Sequence, residues 1–360
     1  MEGFSDAAIT GEPSAVPPAG AGLHYVSTDI PGLLRRRTGR GFRYLDPDGR
    51  RVEDSATLDR VRALGIPPAW SDVWICLDES GHVQAVGRDA KGRKQYIYHD
   101  AFRRLRDLTK YDHLVAFARG LPKLRQRVAA DLRRPGVPRE KALAAVVGLL
   151  ERTLIRVGNS EYARATGSYG LTTLRDPHVR IDGDELRFLF RGKSGKAWSL
   201  RLRDRRLARI VRQCQELPGQ HLFQYRAEDG SFRAVTSTDV NAYLREATGR
   251  DVTAKDFRTW HGTVMVAEAL ARMPPPATVR EGKSVLRNAV AEAADRLGNT
   301  VTICRQSYVH PAVIEAYLGG GLTLPRAKPV AGLSEVESAV LAFLARRRRR
   351  MEERALNAER

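Results

Sequence analysis

Between about residues 23 and 100, apolar and aromatic residues come in short runs rather than at helical spacing. Val73-Trp74-Ile75-Cys76, His82-Val83-Gln84-Ala85-Val86 and Gln95-Tyr96-Ile97-Tyr98 are separated by Glu79-Ser80-Gly81 and a Lys91-Gly92 turn. Such β-rich runs bounded by glycine turns predict a small antiparallel sheet. Asp46-Pro47-Asp48-Gly49 reads as a turn, because proline presets φ and glycine accepts positive φ. From about 101 the period becomes helical. Leu143, Val146, Val147, Leu150, Leu154 and Val157 make one apolar stripe, closed by Gly158, with Arg156 well off it. Two strand-like runs, 178–181 and 185–190, then a Gly192-Lys193-Ser194-Gly195 turn and a third run over 198–202, predict a three-stranded sheet within a helical region. Further helices are expected at about 203–216, 237–247, 254–271 and 279–297. Ser334 with Glu337 forms a capping box that opens a last helix through Val340, Leu341 and Leu344.

The pattern therefore predicts an α+β protein: a tail over 1–22, a small antiparallel β-sheet domain over 23–100, a larger mostly helical domain over 101–325, and a basic helix over 326–360. The Ala-, Gly-, Pro- and Ser-rich tail has too little apolar surface to offset its ordering entropy. Arg346 to Arg350 extend the last helix either as a solvated face or as a contact for an anion. A chain of 360 residues, 42% hydrophobic, is long enough to bury sizeable cores.

Charge narrows the class of partner. Sixty-one Lys and Arg against 42 Asp and Glu give a formal charge of +19, the footprint of a protein that works on a polyanion. No apolar run approaches the roughly 20 residues that cross a bilayer, and residues 1–22 lack a charged start followed by an apolar stretch, so a cytoplasmic, membrane-free protein is expected. Cys76, Cys214 and Cys304 are few, scattered and never in a Cys-x-x-Cys pair, which supports neither a disulfide framework nor a zinc site. The histidines are equally dispersed, and no metal or cofactor is expected. Gly192-Lys193-Ser194 is no phosphate-binding loop, since the glycine required five residues before Gly192 is Arg187.

Four short segments carry the candidate chemistry: Arg156-Val157-Gly158-Asn159, Phe190-Arg191-Gly192-Lys193, Phe257-Arg258-Thr259-Trp260, and Leu297-Gly298-Asn299-Thr300 running on to Ser307-Tyr308. Each residue alone has an ordinary explanation: a helix-terminal arginine, a turn lysine, a surface arginine, a packed tyrosine. In this order and spacing the set resembles the type IB DNA topoisomerases, in their compact bacterial and poxvirus-like branch, over roughly residues 23–325. Gly65-Ile66-Pro67-Pro68-Ala69-Trp70 is also similar to a segment of bacterial members.

The resemblance implies roles. Tyr308 would be the nucleophile that forms a 3′-phosphotyrosine, and Arg156 and Arg258 the transition-state clamp, each guanidinium offering a planar fork to two phosphate oxygens. Lys193 would be the general acid for the departing 5′-oxygen. Asn299 stands where many members have a histidine; its amide still donates a hydrogen bond but cannot titrate, which implies slower cleavage. Residues 87–98 resemble the family's DNA-binding segment, with Lys91, Arg93 and Lys94 on phosphates and Gln95, Tyr96 and Tyr98 facing bases or backbone. Thr172 and Thr173 are further candidates for phosphate contacts. The implied partner is double-stranded DNA, gripped by two lobes from opposite sides, with a monomer acting at the nucleoid and without an obligate protein partner. A tyrosine recombinase shares the fold and nucleophile, but recombinases place a histidine three residues before the second arginine, where this chain has Lys255. A non-catalytic architectural DNA-binding protein would explain the charge and leave Lys193, Arg258 and Tyr308 without a purpose.

Overall fold

The computed structural model describes residues 22–39, 41–90, 92–227 and 229–358; nearly all of the expected tail, and Lys91, lie outside the described residues. The chain divides into two compact units, one ending at Lys110 and the other beginning at Tyr111.

In the first unit, β1 (Leu33–Thr38), β2 (Gly41–Leu45), β3 (Ser71–Ile75), β4 (Val83–Arg88) and β5 (Lys94–Tyr98) form one sheet in the order β2-β1-β3-β4-β5, and every pairing is antiparallel. The pattern had indicated β3 to β5. It did not indicate β1, whose Leu-Leu-Arg-Arg-Arg-Thr sequence lacks the period-two alternation of a half-buried strand. The reason is Arg35, which is buried and donates from Nη1 to the Ile66 carbonyl at 3.1 Å and from Nη2 to those of Pro67 at 3.0 Å and Trp70 at 2.8 Å. An arginine thus fills a core position by satisfying the carbonyls of the Gly65–Trp70 segment. Helix α1 (Ser55–Ala63), capped by Asp54, was also not foreseen. The expected turn is formed: the Gly49 N–H donates to the Asp46 carbonyl, and Gly49 has φ +81°.

In chain order, α2 (Asp100–Asp131) leads to α3 (Arg139–Thr153), α4 (Ser160–Thr166), β6 (Val179–Asp182), β7 (Glu185–Arg191), β8 (Ala197–Arg203) and α5 (Arg205–Gln215). There follow β9 (Gln224–Arg226), β10 (Phe232–Ala234), α6 (Ser237–Thr248), α7 (Ala254–Ala271), α8 (Val279–Leu297), α9 (Val301–Tyr308), α10 (Pro311–Leu318) and α11 (Glu335–Ala358). Strands β6, β7 and β8 make the three-stranded antiparallel sheet, with Phe188 opposite Val179 and Leu200. The second unit is built around α3, whose residues 141–150 are all buried, together with Phe117, Phe188, Phe223, Phe257 and Trp260. Each such side chain removed from water contributes about 1.5–3 kcal/mol.

Helix α3 stops earlier than its stripe suggests. Leu154 takes a left-handed conformation (φ +56°), and Ile155 to Val157 continue in a non-helical segment. Leu154 and Ile155 remain buried there because the chain runs on through the core, so the apolar spacing outlasts the helix. The capping box at α11 forms as expected, with the Glu337 N–H on Ser334 Oγ and the Ser334 N–H on the Glu337 carboxylate.

Candidate active site

Arg156 lies on the segment that follows α3 rather than at a helix terminus. Its carbonyl accepts the Leu171 N–H at 2.8 Å, and the Val157 carbonyl accepts the Thr172 N–H at 2.7 Å. This approach needs two glycines: Gly158 has φ +104°, and a Cβ on Gly170 would stand 2.5 Å from the Arg156 carbonyl. Thr172 and Thr173 belong to that brace. The Thr172 hydroxyl donates to the Val157 carbonyl at 3.0 Å and that of Thr173 to the Gly170 carbonyl at 3.1 Å, and both side chains are buried. Internal carbonyls thus take both of the hydroxyls that the sequence offers for phosphate.

Arg258 sits near the start of α7, only 3% exposed. Its Nη1 donates to the Leu154 carbonyl and its Nη2 to the Leu297 carbonyl, the latter at 2.6 Å. Those acceptors are the ends of α3 and α8, so one guanidinium holds the last turns of two helices, where carbonyls lack intrahelical partners. Burial brings its pKa down to about 10, with the like charge of Arg156 acting in the same direction and Tyr308 opposing.

Asn299 is set by the α8–α9 link. Gly298 ends α8 at φ +62°, the Asn299 N–H returns to the Ala294 carbonyl at 2.9 Å, and Thr300 caps α9. Arg156 Nη2 donates to Asn299 Oδ1. Asn299 Nδ2 and Arg258 Nε are buried with no hydrogen-bond partner among the described residues. Two buried donors are thus left unspent, an arrangement that costs stability unless a further acceptor is bound.

Tyr308 is the last residue of α9, and its ring lies 5.0 Å from the Arg258 guanidinium carbon. The chain is pressed onto α7 at this point: a Cβ on Gly262 would meet the Tyr308 carbonyl at 2.6 Å, and Thr263 Oγ1 reaches that carbonyl and also accepts the His310 N–H at 3.0 Å. Gly262 and Thr263 were not singled out from the sequence; a glycine inside a helix four positions after Arg258 was the available signal. Burial pushes the Tyr308 phenol up, but the charges of Arg258, Arg156 and Lys255 outweigh it and hold its pKa below the ordinary 10.0.

Lys193 occupies the tight turn between β7 and β8, in which Ser194 and Gly195 have φ +62° and +75°. It is exposed and makes no ion pair among the described residues. No hydrogen bond among the described residues joins its ammonium to Arg156, Arg258, Asn299 or Tyr308.

In the first unit, the Asp89 carboxylate binds Arg93 at 2.5 Å and accepts from Gln95 Nε2 at 2.9 Å. Gln95 is buried with its Oε1 unpartnered among the described residues. Lys94 is exposed, with its ammonium 5.5 Å from the Tyr96 ring. Tyr96 and Tyr98, 4% and 5% exposed, pack with Val83, Val86 and Phe102. β5 turns both rings into a core. A basic surface the sequence reading passed over lies on β1 and after β2, where Arg36, Arg37, Arg50 and Arg51 are exposed.

Among the described residues, no helix is long and apolar enough to cross a membrane. Residues 99–319 match the family model for the catalytic core of eukaryotic DNA topoisomerase I. Residues 41–89 match the model for the N-terminal domain of bacterial DNA topoisomerase IB. DNA topoisomerase 1B of Acanthamoeba polyphaga mimivirus is 31% identical over 293 residues, which cover 79% of this chain and 87% of the viral protein. DNA topoisomerase 1B of vaccinia virus strain Copenhagen is 20% identical over 233 residues, 64% of this chain and 71% of the viral protein. The core match spans well over half of the chain and contains every residue of the cluster around Tyr308: the chain belongs to the type IB DNA topoisomerases.

Proposed function

We propose that this topoisomerase relaxes duplex DNA by nicking one strand through Tyr308. The phenol oxygen attacks phosphorus in line, the bond from phosphorus to the 5′-oxygen breaks, and a 3′-phosphotyrosine forms. Lys193 supplies the proton that the departing 5′-oxygen needs, and the phenol's own proton leaves to solvent. After strand rotation the 5′-hydroxyl attacks the phosphotyrosine and the steps reverse. The covalent intermediate conserves the bond energy of the cut strand, so resealing consumes no ATP.

The observation that carries this reading is the phenol packed against a buried guanidinium, with unspent donors on Arg258 and Asn299 beside it. A phosphodiester at that place would find the acceptors' counterparts already fixed, which is how preorganised donors lower a barrier. Arg156 and Arg258 hold the non-bridging oxygens, and Asn299, fixed through Oδ1, donates from Nδ2. The lowered pKa of Tyr308 follows from the same two arginines and favours the attacking phenolate. Lys193 reaches the site when the hairpin closes on bound DNA.

Residues 23–100 act as a DNA-binding lobe. Lys94 and Arg93, with the basic strands β1 and β2, meet phosphates, and Lys91 belongs with them by position. Residues 101–325 are the catalytic lobe, and α11 braces it. The acting form is a monomer whose macromolecular partner is double-stranded DNA, at the nucleoid in the cytoplasm. The test is relaxation of supercoiled plasmid in EDTA without ATP. The reading requires full relaxation there, and its loss in Tyr308→Phe with DNA binding retained; relaxation that persists in that variant removes Tyr308 from the mechanism.

A further inference from the structure

Trp198, on β8, stands against two glycines that precede proposed catalytic residues. Its indole stacks on Phe190 of β7 with ring centres 5.9 Å apart and planes 4° from parallel, and the residue is 9% exposed. A Cβ on Gly192, the residue before Lys193, would stand 2.6 Å from Trp198 Nε1. A Cβ on Gly298, the residue before Asn299, would stand 2.5 Å from Cζ2, on the same nitrogen-bearing edge of that indole. No real Cβ tolerates either distance, so both backbones lie flush against nearby atoms of one rigid ring.

We propose that Trp198 is a positioning residue that fixes the root of the Lys193 hairpin against the α8–α9 link and so sets where the general acid meets the leaving oxygen. This inference rests on the reading of Lys193 as that acid. The two backbones are not equally dependent on the indole. Asn299 has its own anchors, its N–H on the Ala294 carbonyl and its Oδ1 on Arg156. The hairpin turn, by contrast, is closed on itself, Gly192 N–H to the Lys196 carbonyl and Gly195 N–H to that of Gly192. Past Arg191, whose carbonyl accepts the Tyr169 N–H, the indole ties the turn to the phosphate side of the site through Gly298. The root is thereby held while the tip, with Lys193 exposed, stays free to close.

The test uses the full-length protein and two suicide duplexes that differ only at the scissile bridge: one with the ordinary 5′-oxygen, one with sulfur. A thiolate leaves without being protonated, so the sulfur substrate bypasses the general acid. For Trp198→Ala, a 1 Å displacement of the acid predicts cleavage slower by roughly 10²-fold on the oxygen substrate. The same variant should cleave the sulfur substrate at nearly the rate of the unsubstituted protein. Gly192→Ala, which leaves the indole in the core and forces the turn away from it, should give the same oxygen-selective loss. Trp198→Phe, which keeps the stack on Phe190, should recover part of the oxygen rate. An equal deficit on both substrates, or an undiminished oxygen rate in Gly192→Ala and Trp198→Phe, overturns the proposal. Lys193→Ala separates the two readings. If sulfur restores its cleavage, only the role of Trp198 is at stake; if it does not, the general-acid reading itself fails and this inference falls with it.

Discussion

At Arg258 a single buried guanidinium joins the ends of two helices and faces the phenol of Tyr308. Substituting Arg258 or Arg156 by alanine should slow single-turnover cleavage by ~10²-fold or more, as loss of a preorganised donor does elsewhere. Arg258→Lys should not restore the rate, because an ammonium cannot reach both carbonyls and still offer a fork; near-normal cleavage by that variant would count against the clamp. The phenol's pKa lies below 10.0, since the neighbouring cations favour the phenolate. The cleavage rate should therefore rise with pH and level off below pH 10. Lys255→Ala, which removes one of those cations, should move the inflection upward, and an unmoved inflection would exclude that coupling. The polar residues of the site were legible because their order along the chain is distinctive. Their supports were not: the Leu154 and Leu297 carbonyls, Gly262 and Thr263 act through contacts between segments far apart in sequence. Nor were the internal carbonyls that the Thr172 and Thr173 hydroxyls meet.

Among the elements, the long amphipathic helices were the most legible: α7 and α8 span 254–271 and 279–297, the limits their periodicity and caps suggest. Helix α3 was overextended because Leu154 and Val157 keep apolar spacing after the backbone has left the helix. Strand β1 was missed because a buried arginine breaks alternation. The last helix carries more than a cap. Glu337 closes the predicted box with Ser334 and also accepts from Arg125 Nη1 and Nη2, at 2.9 and 2.8 Å, and from Trp260 Nε1 at 3.2 Å, two residues beyond Arg258. Burial opposes its ionisation, but these donors bring its pKa from 4.5 to about 2. A carboxyl depressed on folding stabilises above its unfolded pKa. That contribution is complete above about pH 4.5 and is lost as the pH falls toward 2. Glu337→Gln leaves Arg125 with one fewer charge partner and should cost about 3 kcal/mol of stability at neutral pH, read by denaturant unfolding. The gap between the two proteins should narrow in acid, and a difference that stays constant to pH 2 would rule out this linkage. Arg347 pairs with Glu315 at 2.6 Å, so the basic run after Leu344 is not wholly a free face.

For the whole molecule, the charge of +19 and the α+β division into a sheet unit and a helical unit were readable from composition and period. Which face of β5 the tyrosines take was not, because a β-strand with apolar residues on both sides has no period that distinguishes them. Binding to duplex DNA should weaken steeply with salt, about 0.9 decades per decade of salt for each phosphate neutralised; a flat response in a filter or anisotropy titration would contradict a lobe that grips the backbone. The central claim is that the Tyr308 oxygen becomes joined to phosphorus. Its most direct measurement is covalent trapping on a suicide duplex, followed by proteolysis and mass spectrometry of the nucleotide-linked peptide. The account predicts one adduct, at the 3′-phosphoryl end, on the peptide that contains Tyr308, and none with Tyr308→Phe; an adduct on any other residue, or one that survives that substitution, would contradict it.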